Sequence, residues 1–200
     1  MKRLSILGST GSIGVNTLNV IRNLEEKFFI KYLTANSNSE LLIKQAIEFR
    51  PETVVIVNKE KANIVKESVE KFGIDVMVGR EGLIECAKDS DVDILLNGLV
   101  GSAGMEPTFQ AVRSGVDVAL SNKESLVMAG ELINHEKGVS GSKIIPVDSE
   151  HSAIWQCLTG ESINDVSRII LTGSGGPFRN KNKNYFGKIT PEEALNHPNW

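Results

Sequence analysis

Cysteine is scarce: Cys86 and Cys157 are the only two in 200 residues, far apart and without C-x-x-C spacing. That excludes a disulfide framework and reads as reduced thiols in a cytoplasmic protein. Long apolar runs are also missing. None approaches the ~20 residues that span a bilayer, and the apolar stretch after Lys2-Arg3 is too short for a signal-peptide core, so no membrane partner is expected. One-signed charge is missing too. A net charge of −3 marks neither a nucleic-acid nor a membrane-surface partner. No low-complexity segment interrupts the chain. What remains is 40% hydrophobic and 24% charged, an ordinary globular composition with room for one large domain, or one domain and part of another.

The positive signals begin at the N-terminus. Residues 2–7 read as a strand, followed by Gly8-Ser9-Thr10-Gly11-Ser12-Ile13-Gly14 and then by Ile13, Thr17, Leu18, Ile21 and Leu24 at helical spacing. Strand, glycine loop and helix open a dinucleotide-binding βαβ unit. Gly11 admits a pyrophosphate, Gly14 allows close helix–strand packing, and the helix start offers free N–H groups to an anion. No Gly-Lys-Ser/Thr follows, which excludes a Walker loop. A ligand-free glycine turn is the alternative. The next strand, residues 28–34, ends in Thr34-Ala35-Asn36-Ser37-Asn38 without the carboxylate that takes a ribose 2′-OH in NAD enzymes. That favours NADP(H), although no Arg or Lys lies between Tyr32 and Ile43.

Apolar runs then alternate with helical patterns. Strands are expected at 53–57, 74–78, 92–96, 116–120 and 143–145, with helices between them. The fold class is α/β, a doubly wound parallel sheet forming a Rossmann-like NADP-binding domain over residues 1–147. Beyond residue 147 the character changes, with a helix expected at 152–158 and a strand at 166–171.

Three further stretches carry chemistry. Gly98-Leu99-Val100-Gly101-Ser102-Ala103-Gly104 lies at a strand's carboxyl end, beside the cofactor or as simple turn chemistry. Lys123-Glu124 could set an ammonium against a phosphate or a reacting oxygen, or could belong to a helix start capped by Ser121 or Asn122. Asp148-Ser149-Glu150 is the most informative. On an extended backbone Asp148 and Glu150 leave on one face, and two carboxylates there call for something positive between them, which a hard divalent cation would supply. The alternative is a solvated turn that caps the following helix. Farther on, Gly173-Ser174-Gly175-Gly176 is followed by Arg179, Lys181, Lys183 and Lys188 with no acid among residues 177–188, a phosphate-binding composition or a solvated loop.

Taken in order, the 8–14 loop, Ser121-Asn122-Lys123-Glu124-Ser125, Pro146-Val147-Asp148-Ser149-Glu150-His151, Thr172-Gly173-Ser174-Gly175-Gly176-Pro177-Phe178-Arg179 and His197-Pro198-Asn199-Trp200 closely resemble the 1-deoxy-D-xylulose 5-phosphate reductoisomerase family. The resemblance implies NADPH-dependent rearrangement and reduction of that ketose phosphate to 2-C-methyl-D-erythritol 4-phosphate, in non-mevalonate isoprenoid synthesis. It implies that Thr10, Gly11, Ser12 and Ile13 hold the pyrophosphate, that Asn36, Ser37 and Asn38 face the adenosine ribose, and that Asn122 and Glu124 lie on the cofactor. It places Lys123, Ser149, Glu150, Ser174, His197 and Trp200 on the sugar phosphate, with Lys123, Glu150 and His197 as catalytic residues. Asp148 and Glu150 would bind Mg²⁺ or Mn²⁺. A homodimer is implied as well. Two departures stand out: Ser37 sits where the family usually carries a lysine, and family members are much longer. The resemblance therefore implies that residues 148–200 are the start of an incomplete α+β catalytic domain, in a chain that ends within the substrate-covering loop and is inactive by itself. The competing reading is a stand-alone NADP(H)-binding module without catalysis.

Overall fold

The computed structural model describes residues 1–24, 27–170 and 176–196. The apolar runs become strands covered on both faces: Leu33, Val54, Val55, Ile56 and Leu95 are fully buried. Seven strands form one parallel sheet: β1 (Lys2–Leu7), β2 (Phe28–Ala35), β3 (Thr53–Ile56), β4 (Asp75–Val78), β5 (Ile94–Asn97), β6 (Asp117–Leu120) and β7 (Ile144–Pro146). Their spatial order is β4-β3-β2-β1-β5-β6-β7. The chain steps outward from β1 in one direction as far as β4, then restarts beside β1 at β5 and steps the other way.

The helices divide between the two faces. Leu18 and Ile21 of α1 (Ser12–Arg22), Leu42 and Ala46 of α2 (Ser39–Phe49), and Val65 and Val69 of α3 (Ala62–Val69) share one core with Leu4, Ile6 and Ile30. Leu83, Cys86 and Ala87 of α4 (Gly79–Lys88), Ala111 and Val112 of α5 (Met105–Arg113), and Ile133 of α6 (Lys123–Ser140) share the other with Leu7, Leu95 and Val118. Each Val, Leu or Ile among them contributes about 1.5–3 kcal/mol by leaving water. This is the doubly wound sheet expected from the sequence. In it, ligands sit above the carboxyl ends of the strands where the order reverses, here β1 and β5.

By compactness the chain divides into residues 1–156 and 157–200. Asp148 and the first turns of α7 (Ser149–Leu158) thus belong to the sheet-bearing unit, whereas the boundary expected from the sequence falls ahead of Asp148. The second unit carries short 3₁₀ turns and α8 (Pro191–Leu195), which opens on a capping box between Thr190 and Glu193. The strand expected at 166–171 does not form over its described part, residues 166–170. Ile169 and Ile170 are exposed there, with no neighbouring strand among the described residues to take their backbone groups. Among the described residues, no helix is long and apolar enough to cross a membrane.

A polar cluster ties β1 and β2 to the loop before β5. Lys31 is buried and reaches Asp89 at 2.6 Å and Asp91 at 2.9 Å, and the Tyr32 hydroxyl donates to Asp89 at 2.6 Å. Burial opposes ionisation of Asp89 most, but the hydrogen bonds from Lys31 and Tyr32 outweigh it and hold the carboxyl below its ordinary 3.8. A depressed folded-state value gives stability that is present above pH 3.8 and disappears as pH falls through the lower folded value. We expect Asp89→Asn to cost about 1–3 kcal/mol at neutral pH and to flatten that acid limb of the stability profile, measured by denaturant titration across pH. An unchanged acid limb would refute the assignment.

Candidate functional site

The glycine loop is shaped by close contact. A Cβ on Gly14 would lie 2.4 Å from the Gly8 carbonyl oxygen and 2.4 Å from Ser9 Cα, so α1 starts directly against the loop. Gly11 is the N-cap of α1 and offers no side-chain acceptor, which leaves first-turn N–H groups to an external anion. The loop is also held from behind. Ser9 Oγ donates to Gln45 Oε1 at 2.8 Å, Gln45 Nε2 donates to the Ser9 carbonyl at 2.9 Å, and the Ser9 N–H donates to the Thr34 carbonyl at 2.8 Å. Gln45 is 5% exposed on the buried side of α2. Its signal in the sequence was a polar residue on a helix face otherwise made of Leu42, Ala46 and Phe49.

Above the loop lies a groove of ≈ 530 Å³, lined by Thr10 and Gly11 from the β1 end, Asn36 and Val57 from the β2 and β3 ends, Leu99 from the β5 end, and Arg80 from α4, among others. Thr10, Gly11 and Asn36 are thus brought together on one groove. Ser12 is the exposed first residue of α1, and Ile13 packs towards Gly98. Asn36, Ser37 and Asn38 are exposed at the β2 end, with the Asn38 carboxamide oxygen taken up in capping α2. Arg80 is the one cation lining the groove among the described residues.

The second half of the site adjoins the groove through Asn122. This residue is 1% exposed. Its amide donates to the carbonyls of Leu99 and Gly101, both at 2.8 Å, while its oxygen accepts the Ser125 N–H at 2.9 Å as N-cap of α6. The side chain is fully committed to fastening α6 to the 98–104 loop. Lys123, the first residue of α6, then faces the β7 end. Its Nζ lies 2.9 Å from Asp148 Oδ2 and 3.3 Å from Glu150 Oε2. Glu124 is exposed in the same turn.

The positive charge between the two carboxylates is therefore an ammonium. Their convergence does not come from an extended backbone. Asp148 stands at the N-cap position of α7, its carbonyl accepting the Ser152 N–H at 2.8 Å, and Glu150 lies in the first helical turn. Ser149 Oγ donates to Glu150 Oε2 at 2.8 Å. The capping alternative and the paired-carboxylate arrangement are both realised: Asp148 Oδ1 accepts the His151 N–H at 3.4 Å while Oδ2 faces Lys123. Burial opposes ionisation of Asp148 most strongly. Lys123 and the His151 N–H outweigh it and draw the carboxyl below its usual range. Glu150 is drawn down by Ser149 and Lys123, and Lys123 is drawn up in return, chiefly by Asp148. Ser174, His197 and Trp200 lie outside the described residues.

A family model described as 1-deoxy-D-xylulose 5-phosphate reductoisomerase matches residues 4–130, and a model of that enzyme's C-terminal domain matches residues 144–200. The chain belongs to the 1-deoxy-D-xylulose 5-phosphate reductoisomerase family. A curated reductoisomerase of Chloroherpeton thalassium is 50% identical over all 200 residues, which cover 52% of its own length. One from a Thermoanaerobacter species is 49% identical over the same span and share. Among solved structures, the Zymomonas mobilis reductoisomerase in complex with NADPH superposes with a TM-score of 0.86 at 37% identity, over 96% of this chain and 50% of that one. A reductoisomerase bound to NADPH, fosmidomycin and magnesium gives 0.83 at 36% identity, over 100% and 52%. The chain spans about half the length of the curated relatives it matches.

Proposed function

We propose that this family member acts in NADPH-dependent rearrangement and reduction of 1-deoxy-D-xylulose 5-phosphate to 2-C-methyl-D-erythritol 4-phosphate. The observation that carries the reading is the joining of a dinucleotide-type groove to a lysine–dicarboxylate cluster through a single buried residue, Asn122. Relatives of this chain were solved with NADPH and magnesium, which supports the same pair here. NADPH when bound supplies the hydride, and Mg²⁺ or Mn²⁺ when bound supplies Lewis acidity towards the ketose oxygens.

The chain's own residues do the rest. N–H groups at Thr10 to Ile13 hold the pyrophosphate, and Asn36, Ser37 and Asn38 border the ribose. Asn122 and Glu124 border the nicotinamide half of the cofactor, Asn122 through its backbone because its side chain is spent. Asp148 and Glu150 fit a hard cation as two of its ligands: both are oxygen donors already converging on one positive charge. They do not complete a set, since no group of three His, Cys, Asp or Glu side chains poised for a metal exists among the described residues. The Lys123 ammonium stabilises negative charge as it develops on the substrate oxygens. Ser149 adds a hydroxyl contact to the sugar phosphate beside Lys123. Unpaired thiols, buried at Cys86 and exposed at Cys157, support a cytoplasmic location. Exposed Val127, Met128 and Leu132 on α6 support a homodimer.

The test is NADPH consumption by a protein of the relatives' full length, given the ketose phosphate and Mn²⁺. Consumption that requires both the sugar phosphate and the metal is expected. NADPH binding without such consumption would instead favour a binding module.

A further inference from the structure

Resting on the reading of the groove as an NADP(H) site, we propose that Arg80 recognises the adenosine 2′-phosphate, exchanging Glu106 for it when the cofactor binds. The β2 end, where a 2′-phosphate has to be met, carries Asn36, Ser37 and Asn38 and no cation. A phosphate dianion lodged there needs a positive partner from another element. Arg80 lines the same groove as Asn36 and Val57. The β2 and β3 ends are fastened side by side, the Val57 N–H donating to the Ala35 carbonyl at 3.0 Å and the Asn58 N–H to the Asn36 carbonyl at 2.8 Å. Arg80 thus stands on the adenosine side of the glycine loop.

Its base is rigid. Gly82, two residues on, packs so closely that a Cβ there would lie 2.8 Å from the Met77 Cβ and 3.2 Å from Val55 Cγ1. The first turn of α4 therefore lies directly against the sheet. The guanidinium itself is parked at the surface, with Nη2 2.6 Å from Glu106 Oε2 in the first turn of α5, and both side chains are nearly half exposed. An exposed pair of this kind holds weakly and is readily traded. A phosphate offers the planar guanidinium a two-point match and a larger charge. Glu106 also repels an anion in the groove when Arg80 is absent, so the pair discriminates by charge in both directions.

The experiment measures binding of NADPH, NADH, adenosine 2′,5′-bisphosphate and AMP to the full chain by calorimetric titration, for the wild type, Arg80→Gln and Glu106→Gln, with circular dichroism as a fold check. Arg80→Gln is expected to weaken NADPH and the bisphosphate by roughly tenfold or more, while NADH and AMP change by less than about twofold. Glu106→Gln is expected to leave NADPH binding equal or tighter. Equal weakening of NADPH and NADH would place Arg80 on the shared pyrophosphate or adenine and overturn the proposal. A loss in Glu106→Gln as large as that in Arg80→Gln would make the pair a structural strut and overturn it too. If the wild type binds neither dinucleotide, the NADP(H) reading falls and takes this proposal with it. If it binds NADPH and Arg80→Gln leaves the NADPH-to-NADH ratio unchanged, only this proposal falls.

Discussion

Gly14→Ala is expected to abolish nucleotide binding and to lower stability by about 3 kcal/mol, a drop in Tm of roughly 6–12 °C. The added methyl would meet the Gly8 carbonyl and the Ser9 Cα at 2.4 Å. Both are backbone atoms, so no side-chain rotation relieves the overlap. Either α1 lifts from β1 or the loop is pushed out, and both moves break the Ser9–Gln45–Thr34 contacts behind it. The control is Gly138→Ala within α6, where nothing lies within 4 Å of the added Cβ. There the substitution should raise stability by about 0.5–1 kcal/mol, as removal of an open helical glycine does. Thermal melts and NADPH titration of both variants decide the matter. A Gly14→Ala protein that melts and binds like the wild type would show that the loop yields cheaply, which the geometry denies.

Asp148→Asn should weaken Mn²⁺ binding by about a hundredfold and reduce turnover correspondingly in a protein of family length, with NADPH affinity unchanged. Asparagine keeps the shape and the capping oxygen, so the first turn of α7 and its 2.8 Å Ser152 bond should survive; only the charge is removed. The complementary variant separates metal binding from catalysis. Lys123→Met takes away the ammonium that now sits 2.9 Å from Asp148 and 3.3 Å from Glu150. With the like charges of Asp148 and Glu150 uncompensated, the divalent ion should bind more tightly by roughly tenfold, while turnover falls because charge on the reacting oxygens loses its partner. Calorimetric or electron-spin titration of Mn²⁺ reads the affinities directly. Weaker metal binding in Lys123→Met would mean that the lysine helps to build the metal site instead of competing for it.

The sheet was legible because its strands are buried on both sides and so are written as unbroken apolar runs, such as Val54-Val55-Ile56. The glycine loop was legible because only glycine fits at position 14. Helix starts were harder to place. The apolar face of α6 starts only at Leu126, yet the helix begins at Lys123, because a capping carboxamide at Asn122 starts it ahead of that face. Non-helical angles at Ala129 then break the face that periodicity would follow. The strand expected at 166–171 shows the reverse error: Val166, Ile169 and Ile170 have the composition of a strand, but a strand exists only where another supplies its hydrogen bonds. Within the site, the meeting of Asp148 and Glu150 was anticipated for the wrong backbone: the pair stands at the start of α7, and Lys123 from another helix reaches both carboxylates. Arg80 left no trace in the sequence near the β2 end. Its place in the groove comes from the crossing of α4 over the sheet, a long-range fact that no local motif encodes.

The clamp of Ser9 by Gln45 and Thr34 also governs timing. A glycine loop that is already hydrogen-bonded from behind has no disorder to give up when a ligand comes. Association should then run at the pace of encounter, with a single kinetic phase and no slow ordering step. Loosening the clamp, as Gln45→Ala would, should show itself less in how fast a nucleotide arrives than in how soon it leaves.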